Sequence, residues 1–96
     1  MQARTSTWSG SPEALEQWVE HVTNNVKPMV AGLAGNVGAY FFIDRANQRA
    51  LTLTLWDSEE AAASSDQTAE ASRARTVAAT GVELVDRARY EVVTQA

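Results

Sequence analysis

GAYFFIDRANQRALTLTLWDSEEAAASS, residues 38–65, contains the reading on which the fold turns. Two runs rich in β-branched and aromatic residues, NVGAYFFID over 36–44 and RALTLTLWD over 49–57, flank the short link RANQ. The pattern predicts an antiparallel hairpin, with Asn47 suited to a positive φ in the turn. The second run passes straight into SEEAAASS. Asp57 with Glu60 spells a capping box and Ser58 is a rival cap, so a helix is expected from about 58 to 79, ended by Gly81. Its only large apolar residue is Val77, so the rest of its buried face must be Ala, Ser and Thr. Either this helix sits close to the sheet, with the leucines of 51–55 filling the gap, or it stands off and leaves a cavity.

Outward from this segment, residues 3–9, ARTSTWS, favour a strand that Gly10, Ser11 and Pro12 break. Ser11 as N-cap, Pro12 in the first turn and Glu13 at the positive end of the dipole start a helix. Leu15, Trp18, Val19, Val22 and Val26 give it one apolar stripe. Pro28 disfavours a helical residue before it, so an end or kink is expected near Val26–Lys27, with a final turn around Met29–Val30 allowed. Residues 82–94 read as a last strand with a bulge near Asp86–Ala88. The order β-α-β-β-α-β, with right-handed crossovers, is a ferredoxin-like α+β fold: a four-stranded antiparallel sheet with two helices on one face. No linker or repeat divides residues 1–96, and one domain is expected.

Helices cover only one face of such a sheet, yet Ala39-Tyr40-Phe41-Phe42-Ile43 is apolar on both. A second copy packed sheet to sheet would hide the other face, and a homodimer is expected. A four-residue link puts Tyr40 and Phe42 on the leucine face, and a three-residue link puts Phe41 and Ile43 there.

Composition narrows the chemistry. The chain has no cysteine, which excludes disulfides, thiolate metal sites and a cysteine nucleophile. With a net charge of −4 and no basic stripe, no nucleic-acid partner is expected. No apolar run approaches a membrane span or a signal peptide, so no membrane partner is expected and the simplest location is the cytoplasm.

The strand order, the segment 38–65 with its Gly-aromatic strand, Asp-Arg turn and Trp-Asp-Ser-Glu-Glu-Ala junction, and the terminal YEV together resemble the antibiotic-biosynthesis monooxygenase family of the dimeric α/β-barrel superfamily. The likeness covers most of the chain from Gly35 onward. It implies a homodimer whose two sheets form a barrel, and a small apolar pocket between sheet and helices. It also implies a monooxygenase acting on a small aromatic, polyketide or quinol-type substrate without metal or flavin, so no cofactor is expected. Relatives that degrade haem, and a non-catalytic ligand-binding or structural dimer, are the alternatives. Trp56 matches the junction Trp.

His21 is the sole histidine and the one side chain that titrates near neutrality unperturbed. It lies about 120° from the centre of the apolar stripe, at roughly 100° per residue, one turn from Trp18 and one from Asn25. It is the candidate base, or a haem ligand, set against an ordinary surface histidine. Trp18, Asn25, Tyr40, Phe42 and Trp56 are the candidate substrate-binding residues, set against core or interface packing. No metal site is expected.

Overall fold

The computed structural model describes residues 1–96. The strands are β1 (Gln2–Ser9), β2 (Asn36–Asp44), β3 (Arg49–Trp56) and β4 (Glu83–Glu91). They form one antiparallel sheet in the order β2-β3-β1-β4, which is the ferredoxin-like topology. Helix α1 (Pro12–His21) starts where Ser11 accepts a hydrogen bond from the Ala14 N–H through its side chain. It continues through a π-helical turn, Val22–Val26, into α2 (Lys27–Ala31). The wider turn carries the chain past Pro28 without ending the helix, where the sequence indicated an end or kink. Val22, Val26 and Val30 stay on the buried side throughout.

The second helical segment is two helices, α3 (Glu59–Ser64) and α4 (Asp66–Thr80), where one was expected. Ser58, not Asp57, is the N-cap, accepting from the Ala61 N–H. Ser65 stands at the break between the two. Gly81 closes α4 at φ 81°, the left-handed conformation that a side chain disfavours. Gly35 has the same φ, and a Cβ there would lie 2.4 Å from that of Ala61, so α3 seats directly on this glycine.

The link between β2 and β3 is four residues, 45–48. The positive φ falls on Gln48, at 53°, not on Asn47. Asn47 instead bonds back to the Asp44 carboxylate through both its backbone N–H and its side chain. This link fixes the register: Tyr40 pairs with Leu53, Phe42 with Leu51 and Phe41 with Thr52. Leu51, Leu53, Leu55, Tyr40 and Phe42 therefore share one face. Ala50, Thr52, Thr54 and Trp56, with Ala39, Phe41 and Ile43, share the other. In β4 the pairing slips by one residue between Asp86 and Leu84, making Val85 the bulged residue.

The helices lie on the Ala50–Trp56 face. The core there is Trp8, Leu15, Trp18, Val22, Val26, Val30, Ala50 and Val82, concentrated beneath α1 and α2. Beneath α4 the buried residues are Ser72, Thr76 and Thr80. The two threonine hydroxyls are satisfied within the helix: Thr76 donates to the Ser72 carbonyl and Thr80 to the Thr76 carbonyl. Val77, the one bulky residue of that helix, faces solvent.

Candidate functional site

Small side chains on α4 leave space over β1 and β3. A cavity of about 50 Å³ lies there. The sheet supplies Arg4, Ser6 and Trp8 from β1 and Thr52, Thr54 and Trp56 from β3. Val22 and Val26 of the π-turn, with Met29 and Leu33, form the wall on one side, and Ser65, Ala69, Ser72 and Thr76 the other. The leucines of β3 contribute nothing to it, because they point to the opposite face.

The two cavity tryptophans are held by their indole N–H groups. Trp8 donates to the Thr52 hydroxyl at 3.1 Å and Trp56 to the Thr54 hydroxyl at 3.0 Å. Each threonine accepts and keeps its own O–H as a donor at the cavity wall. Trp56 is 1% exposed, and the Arg4 guanidinium lies 5.6 Å from its ring centroid.

Arg4 explains the break between α3 and α4. Its guanidinium donates to the Ser65 hydroxyl and the Ala62 carbonyl, both at 2.8 Å, and pairs with Asp66. Ala62 lies in the last turn of α3 and Ser65 is its C-cap, at the helix end where the dipole favours a cation. Asp66 opens α4, where the dipole favours an anion. One buried arginine thus ties the two helix ends to β1. Its only sequence signal is a charged residue on the inward side of a strand.

The candidate residues separate into three places. Trp56 lines the cavity. Trp18 is buried in the core next to it, edge-on to Phe41 with centroids 6.5 Å apart, and its indole nitrogen has no hydrogen-bond partner. Tyr40 and Phe42 lie stacked on the far face of the sheet, 57% and 46% exposed, outside the pocket between sheet and helices. His21 and Asn25 meet, at 3.3 Å, over a shallow polar depression beside α4 and away from the cavity. Partial burial, and then the charge of Arg75, hold the His21 imidazole below its ordinary pKa. The cavity's own ionisable side chains are Arg4 and Arg73. Sequence reading missed Arg4, Trp8, Thr52 and Thr54. Strand alternation at 4, 6 and 8 opposite 52, 54 and 56 is the signal that carries them.

A ferredoxin-like domain with a tryptophan-walled cavity between sheet and helices is the class of protein that these features define. The antibiotic biosynthesis monooxygenase family model matches residues 1–77, and the chain belongs to that family. The match includes β1 and α1, which carry no signature of their own, and ends before β4. The solved monooxygenase ActVA-Orf6 of Streptomyces coelicolor, in complex with nanaomycin D, is similar with a TM-score of 0.74 and 16% identity, over 99% of this chain and 89% of that one. A mutant of SnoaB, a cofactor-independent oxygenase from Streptomyces nogalater, gives 0.68 at 11% identity over 98% and 94%. HapK from Hahella chejuensis gives 0.74 at 12% identity over 100% and 96%. At such identities the likeness is one of fold. Two uncharacterised proteins of Mycobacterium tuberculosis, from strains CDC 1551 and H37Rv, are each 29% identical over 59 residues, 62% of this chain. The matched stretch is 26% of their own length. No helix is long and apolar enough to cross a membrane.

Proposed function

We propose that the chain is a cofactor-independent monooxygenase for a small electron-rich aromatic, such as a phenol, anthrone or quinol, working in the cytoplasm as a homodimer. The observation that carries this reading is the cavity itself: tryptophans and valines for an aromatic ring, with threonine hydroxyls and two guanidinium groups at its walls. Family membership supports the reaction class. The substrate supplies the electrons, so that one oxygen atom enters it and the other leaves as water. The protein excludes water and favours the electron-rich phenolate through the positive charge of Arg4 beside Trp56.

The cavity is about 50 Å³, against the ~150 Å³ that holds benzene in a protein interior. A ring therefore enters by displacing part of the wall. Met29 and Leu33, half-buried at the end of the helix that contains the π-turn, are the side chains placed to move.

The homodimer rests on the uncovered face. Leu51, Leu53 and Leu55 with Tyr40, Phe42 and Tyr90 form an apolar surface that the chain's own helices do not touch. A monomeric mass by light scattering at micromolar concentration would count against it.

Oxygen uptake with a panel of anthrones, quinols and naphthols, without added metal or flavin, tests the activity. Turnover is expected with at least one, and Ala69→Leu, which fills the cavity from α4, is expected to lower kcat/KM about tenfold or more. Binding without oxygen uptake across the panel would favour a non-catalytic ligand-binding dimer.

A further inference from the structure

Next to the cavity, on the outer side of Arg4, the space between α4 and β4 forms an open groove of about 350 Å³. It is lined by Arg4, Asp66, Glu70, Arg73, Arg87, Ala88 and Arg89. Four of the chain's eight cationic side chains thus meet at one place, against two carboxylates, in a chain of net charge −4. The topology makes this happen. Arg87 pairs with Ser6 and Arg89 with Arg4, so both project from the edge strand on the helix side of the sheet. Arg73 comes down from α4 to meet them.

The four arginines are not equivalent. Arg4 is spent on Ser65, Ala62 and Asp66, and Arg89 approaches the same Asp66 oxygen at 3.6 Å. The remaining ion pair of the chain, Arg45 with Glu16, lies elsewhere. Arg73 and Arg87 take part in none. Burial, and then the charges of Arg87 and Arg4, lower the Arg73 pKa, against Glu70 and Asp66, which raise it. Two neighbouring guanidinium groups outside any ion pair repel each other, Glu70 and Asp66 offset this only in part, and an anion placed between them lowers the cost further. Arg4 and Arg73 line both, so the cationic groove adjoins the apolar cavity, with these two side chains at the boundary.

We infer that the groove is a carboxylate-binding subsite, in which Arg73 and Arg87 hold the acidic end of a ligand whose aromatic part enters the cavity. This rests on the reading of the cavity as a ligand site and narrows the substrate class to aromatic acids. A planar carboxylate matches the guanidinium fork. A doubly charged phosphate would meet stronger repulsion from Asp66 and Glu70. Of the groove's four arginines, Arg4 and Arg73 lie within the family match and Arg87 and Arg89 lie beyond residue 77, where it ends.

The test compares benzoate, benzamide and phenyl phosphate, each titrated into the wild type, R73Q and R87Q. Tryptophan fluorescence reports the cavity through Trp8 and Trp56, and NMR of the arginine Nε–H groups reports the groove. Benzoate is expected to bind at least tenfold more tightly than benzamide and to shift Arg73 and Arg87. Either substitution should remove that advantage, R87Q, which lies outside the cavity, should leave benzamide binding intact, and added salt should weaken benzoate alone. Equal affinities, an advantage that survives both substitutions, or tighter binding of phenyl phosphate would overturn the carboxylate subsite while leaving the cavity reading in place. Arginine shifts with benzoate, but no fluorescence change with any ligand, would remove the cavity reading and retain the groove as an anion site. No response from either reporter would overturn both.

Discussion

The two faces of β3 are built in opposite senses. The face beneath the helices carries Ala50, Thr52, Thr54 and Trp56, and the face turned away carries Leu51, Leu53 and Leu55. A lone domain would be expected to bury its leucines under its helices and expose its threonines. Here the covered face is the more polar one. It remains satisfied because the hydroxyls pair with tryptophan N–H groups and because Arg4 caps two helix ends. The apolar face is left uncovered by the chain's own helices. The contrast teaches that the inner face is organised around a cavity, while the outer face is the surface on which the proposed homodimer rests.

Residues 53 and 54 allow the sharpest break in this comparison. Thr54→Glu places a charge beneath the helices, beside a buried tryptophan, and should abolish the cooperative unfolding transition. Leu53→Glu, one residue away, should leave the far-ultraviolet circular dichroism native-like and reduce a sedimenting dimer to a monomer. If the two variants behave alike, the assignment of faces is wrong. Trp56→Ala should cost about 3–5 kcal/mol in chemical denaturation, the range for a fully buried aromatic. A loss below 1 kcal/mol would mean that Trp56 sits at an open rim. Arg4→Met keeps the side-chain length but removes the ties to Ser65, Ala62 and Asp66. A loss of roughly 1.5–3 kcal/mol is expected, as for hydrogen bonds to a charged group, with faster hydrogen exchange at the start of α4.

The smallest effect belongs to His21, outside both faces. Its folded pKa lies below the ordinary 6.5, so the unfolded chain binds more protons just below that pH. Stability should therefore rise with pH up to about 6.5 and fall as pH drops toward the folded pKa. His21→Gln should flatten that slope slightly. A slope that is unchanged, or of opposite sign, would show that the imidazole is not desolvated.

Much of the fold was legible in the sequence, because local physics sets it. Ser11-Pro12 starts a helix, Gly81 ends one, and a four-residue link between two apolar runs makes a hairpin. Errors came where a distant residue decided a local outcome. Ser64–Ser65 carries no breaker, and the helix divides there because Arg4, sixty-one positions earlier, bonds to Ser65. Pro28 suggested an end or kink, and the π-turn absorbed it because Val22, Val26 and Val30 gain more by staying buried as one surface.

The candidate site was less legible. Trp56 was visible through its match to the junction Trp, while the face it takes was left open. Tyr40 and Phe42 were grouped with it as aromatics, but strand alternation sends them to the other face. His21 stood out as the sole histidine, and its place on the helix turns it away from the cavity. By itself the sequence determined the order of elements, the caps and the shortage of bulky residues on the last helix, since each depends on neighbours within a few positions. The tertiary structure alone decided which face the leucines take, where the cavity opens and which arginines meet. Each of those depends on strand register and on charges brought together from opposite ends of the chain.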